Sequence, residues 1–174
     1  MTGSKRLVTR IRAIRGTLGS QLDPHSCWMI TRSMETLVLR MERAAQSGTA
    51  VAKWLASNPF KPVKVLHSEF IDDPAYQAVY RRQCSGPGST FAFVLDGGRE
   101  QAFRLINGLT LFKSAVSLGG TESLICHPAS TTHSGVPADV RAAAGVSEGL
   151  IRVSVGLEHP DDLIADLSQA LEHC

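Results

Sequence analysis

Ile151-Arg152-Val153-Ser154-Val155 reads as a β-strand with two unlike faces. Side chains alternate across a strand, so Ile151, Val153 and Val155 share one face while Arg152 and Ser154 share the other. The apolar face must meet a hydrophobic core, which leaves Arg152 on the far side of the sheet. An arginine placed there, beside glycine-bordered backbone, suits bidentate capture of a carboxylate. The same pattern also fits an edge strand carrying a solubilising charge.

The flanking sequence supplies the cover for the apolar face. Downstream, Pro160-Asp161-Asp162 opens a last helix with Leu163, Leu167 and Leu171 at i, i+4 and i+8. Upstream, a short helix is expected from Pro137 to Ala144. A short strand is expected from Ser114 to Leu118, running into Gly119-Gly120. Thr90 to Leu95 is a strong strand pattern, and Asp96-Gly97-Gly98 turns from it into a helix with Ala102, Leu105, Ile106 and Leu109 inward. Gly86-Pro87-Gly88 is a turn, Asp73-Pro74 opens a short helix to about Arg82, and Val63 to Leu66 alternates as a strand.

Two helices come first. Leu7, Ile11, Ile14 and Leu18 form one stripe that Gly19 ends, and Asp23-Pro24 is an N-cap followed by proline at the first helical position. The second helix is expected to turn Met34, Leu37, Val38, Met41 and Ala45 inward and Arg32, Glu35, Arg40, Glu42 and Arg43 outward. It should run on, with a break near Gly48, through Val51, Trp54 and Leu55 to Pro59. Helices followed by strands with interspersed helices predict an α+β fold: a small, mainly antiparallel sheet with helices on one face.

Composition narrows the function. The 174 residues are 43% apolar and 20% charged with a net charge of +2, a profile of one soluble domain, or one domain plus an appendage, without a strong polyanion partner. Lys5, Arg6, Arg10, Arg12 and Arg15 all precede the first acidic residue, Asp23. That basic helix could touch nucleic acid, but apolar residues interleave its charges as they would at a domain junction. Cys27, Cys84, Cys126 and Cys174 show no zinc spacing, so no metal site is expected. No apolar run approaches a membrane span and no signal segment is evident, so a cytoplasmic protein with reduced cysteines is expected.

Two further stretches could carry chemistry. Ser117-Leu118-Gly119-Gly120-Thr121-Glu122-Ser123-Leu124 has paired glycines that allow close backbone approach to a ligand, or simply a turn, and lacks a dinucleotide fingerprint. His127-Pro128-Ala129-Ser130-Thr131-Thr132-His133 offers hydroxyls for a reacting group or for local backbone.

Taken together, S-L-G-G-T-E-S-L-I (Ser117 to Ile125), H-P-A-S-T-T-H (His127 to His133), G-L-I-R-V-S-V-G-L-E (Gly149 to Glu158) and the helical Met34 to Met41 segment resemble the Cys/Met-metabolism family of pyridoxal-phosphate enzymes. Its members include methionine gamma-lyase, cystathionine gamma- and beta-lyase and cystathionine gamma-synthase. The resemblance covers about Gly3 to Leu171. It implies the C-terminal small domain of an aspartate-aminotransferase-like (fold type I) enzyme. Residues 1–58 would be the helices joining the large and small domains, and 59–174 the small domain itself. It further implies that Arg152 clamps the substrate α-carboxylate, that Ser117 and the backbone at Leu118 assist, that Val116 lines the substrate pocket, and that Thr132 places the catalytic lysine. Arg152 and Ser117 should then lie close together, with Thr132 at the rim of the same concavity.

The family's cofactor lysine lies in a serine- and threonine-flanked motif that Lys5, Lys53, Lys61, Lys64 and Lys113 do not reproduce. The ring-stacking tyrosine and phosphate loop also have no counterpart here. Pyridoxal 5'-phosphate is therefore expected in the parent family and not on this chain alone, which should be inactive by itself; Met1-Thr2-Gly3-Ser4 reads as a start inside a longer reading frame. Expected partners are a sulfur-containing amino acid in the parent enzyme and further copies of the chain, with neither nucleic acid nor membrane. The alternative is a catalytically silent association module.

Overall fold

The computed structural model describes residues 3–58, 62 and 64–174. The chain divides into two units, one running to Val38 and the other Leu39–Cys174. In the first, α1 (Lys5–Leu18) ends where Gly19 takes a φ of 89° and donates its N–H to the Arg15 carbonyl. α2 (Pro24–Met34) starts on Asp23, whose carboxylate accepts the Ser26 N–H at 3.0 Å. Neither helix buries a side chain, and Leu7, Ile11, Ile14 and Leu18 all stand exposed.

The next helix departs from expectation in two ways. The break falls at Glu35-Thr36, and α3 (Leu37–Ser57) then runs unbroken through Gly48. Gly48 serves packing: a Cβ there would meet the Ser89 Cα at 3.3 Å. The inward face is also different. Ala44, Ser47, Gly48, Val51, Ala52 and Leu55 are buried, while Met34, Leu37, Val38 and Met41 are exposed. Small side chains at 44, 47 and 48 let the helix backbone lie close to its neighbours, which the methionine and leucine face would prevent. Arg43, expected outside, reaches the Glu158 carbonyl at 3.4 Å. The expected stop at Pro59 and strand start at Val63 lie outside the described residues.

Among the described residues, five strands and four more helices complete the chain: β1 (Lys64–Leu66), α4 (Pro74–Gln83), β2 (Thr90–Val94), α5 (Gly98–Gly108), β3 (Lys113–Ser114), β4 (Leu124–Cys126), α6 (Ala138–Ala143), β5 (Leu150–Ser154) and α7 (Pro160–Leu171). The strands make one sheet in the order β1-β2-β5-β4-β3, antiparallel throughout except for the β3–β4 pair. This is a mixed α/β architecture with a mainly antiparallel sheet. The strand pattern at Ile151 holds: Ile151 and Val153 join Phe91, Phe93 and Ile125 in a core closed by Val51 and Leu55 of α3, Ala102 and Leu105 of α5, and Leu163 and Leu167 of α7.

Two details of the sheet place Arg152 and the loop beside it. β5 lies between β2 and β4, so Arg152 is on a central strand and the edge-strand alternative falls. The strand expected over Ser114 to Leu118 stops at Ser114. The Ala115 N–H still bonds the Ile125 carbonyl at 3.0 Å, and then the chain turns away because the next two carbonyls take a different partner.

Candidate functional site

That partner is Arg152. Its Nη2 donates to the carbonyls of Val116 at 2.6 Å and Ser117 at 2.9 Å. The register Cys126↔Arg152 and Ala92↔Arg152 fixes the side chain's origin at mid-strand, on the face opposite Ile151 and Val153. A guanidinium is a planar fork, so two carbonyl contacts on one nitrogen set the orientation of the whole group. Its Nε is buried without an acceptor among the described residues.

The glycine pair does bring backbone close, though to the protein itself. Gly119, at φ 75°, donates its N–H to the Ser154 Oγ at 3.0 Å. Ser154 is buried under this loop, while Val116 and Leu118 leave more than half of their surface exposed beside it. The loop is tied down at both ends by carboxylates. At its entry Asp166 accepts the N–H groups of Thr110, Leu111 and Phe112 at 2.8–3.0 Å. Burial alone would raise the Asp166 pKa, but these N–H groups and the Thr110 hydroxyl outweigh it and hold it below the usual value. At its exit Glu158 accepts both the Ser123 N–H and hydroxyl at 2.8 Å. Gly156 is required beside this, since a Cβ would lie 2.3 Å from the Thr121 carbonyl oxygen.

The His127 to His133 stretch becomes a single 3-10 turn, Pro128–Ser130, followed by tight turns. Most of its polar groups serve the protein. His127 is buried, with Nδ1 at 2.8 Å from the Ser130 Oγ and Nε2 at 2.8 Å from the Glu148 carbonyl. The Thr131 hydroxyl donates to the His127 carbonyl at 2.7 Å. Thr132 is exposed, its Oγ1 2.8 Å from the His133 Nδ1. A cavity of about 400 Å³ lies alongside, walled by Phe103 and Ile106 of α5, by Ala115 and Val116, and by Cys126 and Thr131.

The structure thus brings Arg152, Val116 and Ser117 into direct contact, and puts Thr131, the neighbour of Thr132, on a cavity shared with Val116. Leu118 stands exposed next to them. Sequence reasoning missed the parts played by Asp166, Glu158, Glu148 and Arg141. Asp166 carried a legible signal: it falls three residues after Leu163 on the inward face of α7, where a carboxylate must be satisfied by neighbours. Among the described residues no His, Cys, Asp and Glu group could hold a metal ion, and no helix is long and apolar enough to cross a membrane.

Fold and site together define a mixed α/β domain presenting one oriented arginine from its central strand. The chain belongs to the Cys/Met metabolism PLP-dependent enzyme family, whose profile matches residues 1–172. It is 43% identical over 174 residues to an L-methionine gamma-lyase of Pseudomonas putida, covering 99% of this chain and 43% of that protein. It is 40% identical over 169 residues to cystathionine gamma-lyase of Bos taurus, covering 97% and 41%. The crystal structure of a cystathione gamma lyase from Micromonospora echinospora superposes with a TM-score of 0.88 at 37% identity, over 97% of this chain and 44% of that one. The chain therefore spans less than half the length of the relatives it matches.

Members of the family use pyridoxal phosphate, which needs a lysine for its Schiff base and donors for its phosphate. Lys113 directs its ammonium at the Thr110 carbonyl, 3.4 Å away, Lys64 lies on the terminal strand of the sheet, and Lys53 lines a groove between α3 and Gly86-Pro87-Gly88.

Proposed function

We propose that this chain is the C-terminal part of a pyridoxal-phosphate-dependent carbon–sulfur lyase or synthase acting on a sulfur-containing amino acid, and that it supplies the clamp for the substrate's α-carboxylate. On this reading residues 59–174 are the small domain of a fold type I enzyme and residues 1–58 the helices leading into it. The observation that supports it is the Arg152 guanidinium, carried on the central strand and held by the Val116 and Ser117 carbonyls, the two loop residues that the resemblance assigns to the substrate site. A carboxylate is the ligand that satisfies such a fork, through short charge-assisted hydrogen bonds. Val116 and Leu118, apolar and exposed beside the fork, would exclude water and strengthen those bonds. Thr132, on the turn beside the cavity, would hold the amine of a lysine supplied by the rest of the enzyme. The cofactor would be held there too, and the assembled enzyme would be a homo-oligomer.

The exposed stripe Leu7, Ile11, Ile14 and Leu18 also favours a second reading, an association module without catalysis of its own. A chimera separates the two. This chain replaces the matching portion of the Pseudomonas putida methionine gamma-lyase, and elimination from L-methionine is measured. Activity in the cofactor-loaded chimera is the expected result. A folded, cofactor-loaded chimera with no elimination activity would contradict the enzyme reading.

A further inference from the structure

Glu148 stands two residues before β5, and three elements meet on it. Its Oε1 accepts the Arg141 Nη2 at 2.6 Å and its Oε2 accepts the Arg99 Nε at 3.0 Å. Its backbone carbonyl is the partner of His127 Nε2. Arg141 in turn is largely buried, and its Nη1 lies 3.4 Å from the Ala129 carbonyl and 3.5 Å from the Val136 carbonyl. Those two carbonyls bracket the turns that contain Thr132. Gly149 completes the junction: its carbonyl accepts the Leu95 N–H at 3.0 Å, and the approach is so close that a Cβ at 149 would lie 2.2 Å from the Leu95 carbonyl oxygen. The turn bearing Thr132 and the strand bearing Arg152 are therefore fastened through one carboxylate and one guanidinium.

We propose that Glu148, acting through Arg141, is a positioning residue of the reaction, fixing the Thr132 turn against the strand that carries Arg152. The proposal rests on the assignment of Arg152 and Thr132 to the substrate site. It separates two duties: Arg152 governs how the substrate is held, and the Glu148–Arg141 brace governs where Thr132 stands when the bound substrate reacts. A small displacement of a group that places a reacting atom costs rate more than binding. Glu148 is almost half exposed and its carbonyl contact to His127 survives side-chain changes, so Glu148→Gln should fold.

The experiment uses the chimera for kinetics and this chain for amide exchange. Glu148→Gln should lower kcat about tenfold or more, with KM within about twofold. In the chain alone it should speed exchange at Thr131, His133, Ser134 and Val136 while leaving the β5 amides protected. Arg141→Lys keeps the charge, loses the second arm of the fork, and should fall between wild type and Glu148→Gln in both readouts. Unchanged kcat and unchanged exchange in both variants would overturn the proposal. So would exchange rising equally across β5, which marks a merely structural role. Failure of the substrate-site assignment looks different: Arg152→Ala would then leave KM unmoved, whatever Glu148→Gln does to the turn.

Discussion

The helices before Val38 and the unit from Leu39 onward carry equally regular apolar patterns and meet opposite fates. Leu7, Ile11, Ile14 and Leu18 keep helical spacing on α1 and every one is exposed. Leu163, Leu167 and Leu171 keep helical spacing on α7 and every one is buried. Periodicity states which face of a helix prefers to leave water; only the presence of a partner surface decides whether it does.

Truncating the two stripes should give the largest contrast. Leu167→Ala removes a fully buried side chain from the sheet–helix core and should cost about 2–5 kcal/mol in urea unfolding. Ile11→Ala, on the exposed stripe, should change stability by less than about 0.5 kcal/mol. Equal losses would mean that α1 is packed in solution, and the contrast would collapse.

Two glycines give a smaller version of the same test. Gly149→Ala forces a Cβ onto the Leu95 carbonyl and should destabilise by at least about 1–3 kcal/mol. Gly16→Ala meets nothing within 4 Å and sits inside a helix, so it should raise the helical circular-dichroism signal and stabilise α1 by up to about 1 kcal/mol. Loss of helicity in Gly16→Ala would show a neighbour against that face.

The smallest expected effect belongs to the packed unit alone. His67 is buried against Phe70 and Phe91, and burial pushes its pKa below the ordinary 6.5. The folded state then binds its proton less readily than the unfolded state. Stability from this group is complete above pH 6.5 and declines as pH falls from there toward the lowered folded value. Unfolding free energies compared at about pH 7.5 and about pH 5.5 should show this decline, and His67→Asn should reduce it. A decline of the same size in His67→Asn would assign it to other groups.

Much of the fold was legible because its signals are local. Asp23 and Asp73 cap their helices through their own side chains, and the alternation around Arg152 needs only strand geometry. What escaped is set by contacts far apart in sequence. Gly48 does not break α3, because what it answers to is the backbone of Ser89. The strand after Lys113 ends early because a guanidinium 35 residues away takes the Ser117 carbonyl. The site divides the same way. Strand parity placed Arg152 on the sheet's outer face and only the family resemblance gave it a role, while Glu148 and Arg141 lie on segments whose patterns announce nothing until the turn they join is seen.

The central claim is that Arg152 is a carboxylate clamp, and steady-state kinetics of the chimera test it most directly. Arg152→Ala should lower kcat/KM for L-methionine by about 2–5 kcal/mol, roughly 30- to 4,000-fold, because the substrate's charge loses a desolvated partner. Arg152→Lys should recover only part of the loss, since an ammonium cannot reproduce the fork that the Val116 and Ser117 carbonyls orient. A kcat/KM within about twofold of the parent chimera in Arg152→Ala, or full recovery by lysine, would contradict the clamp.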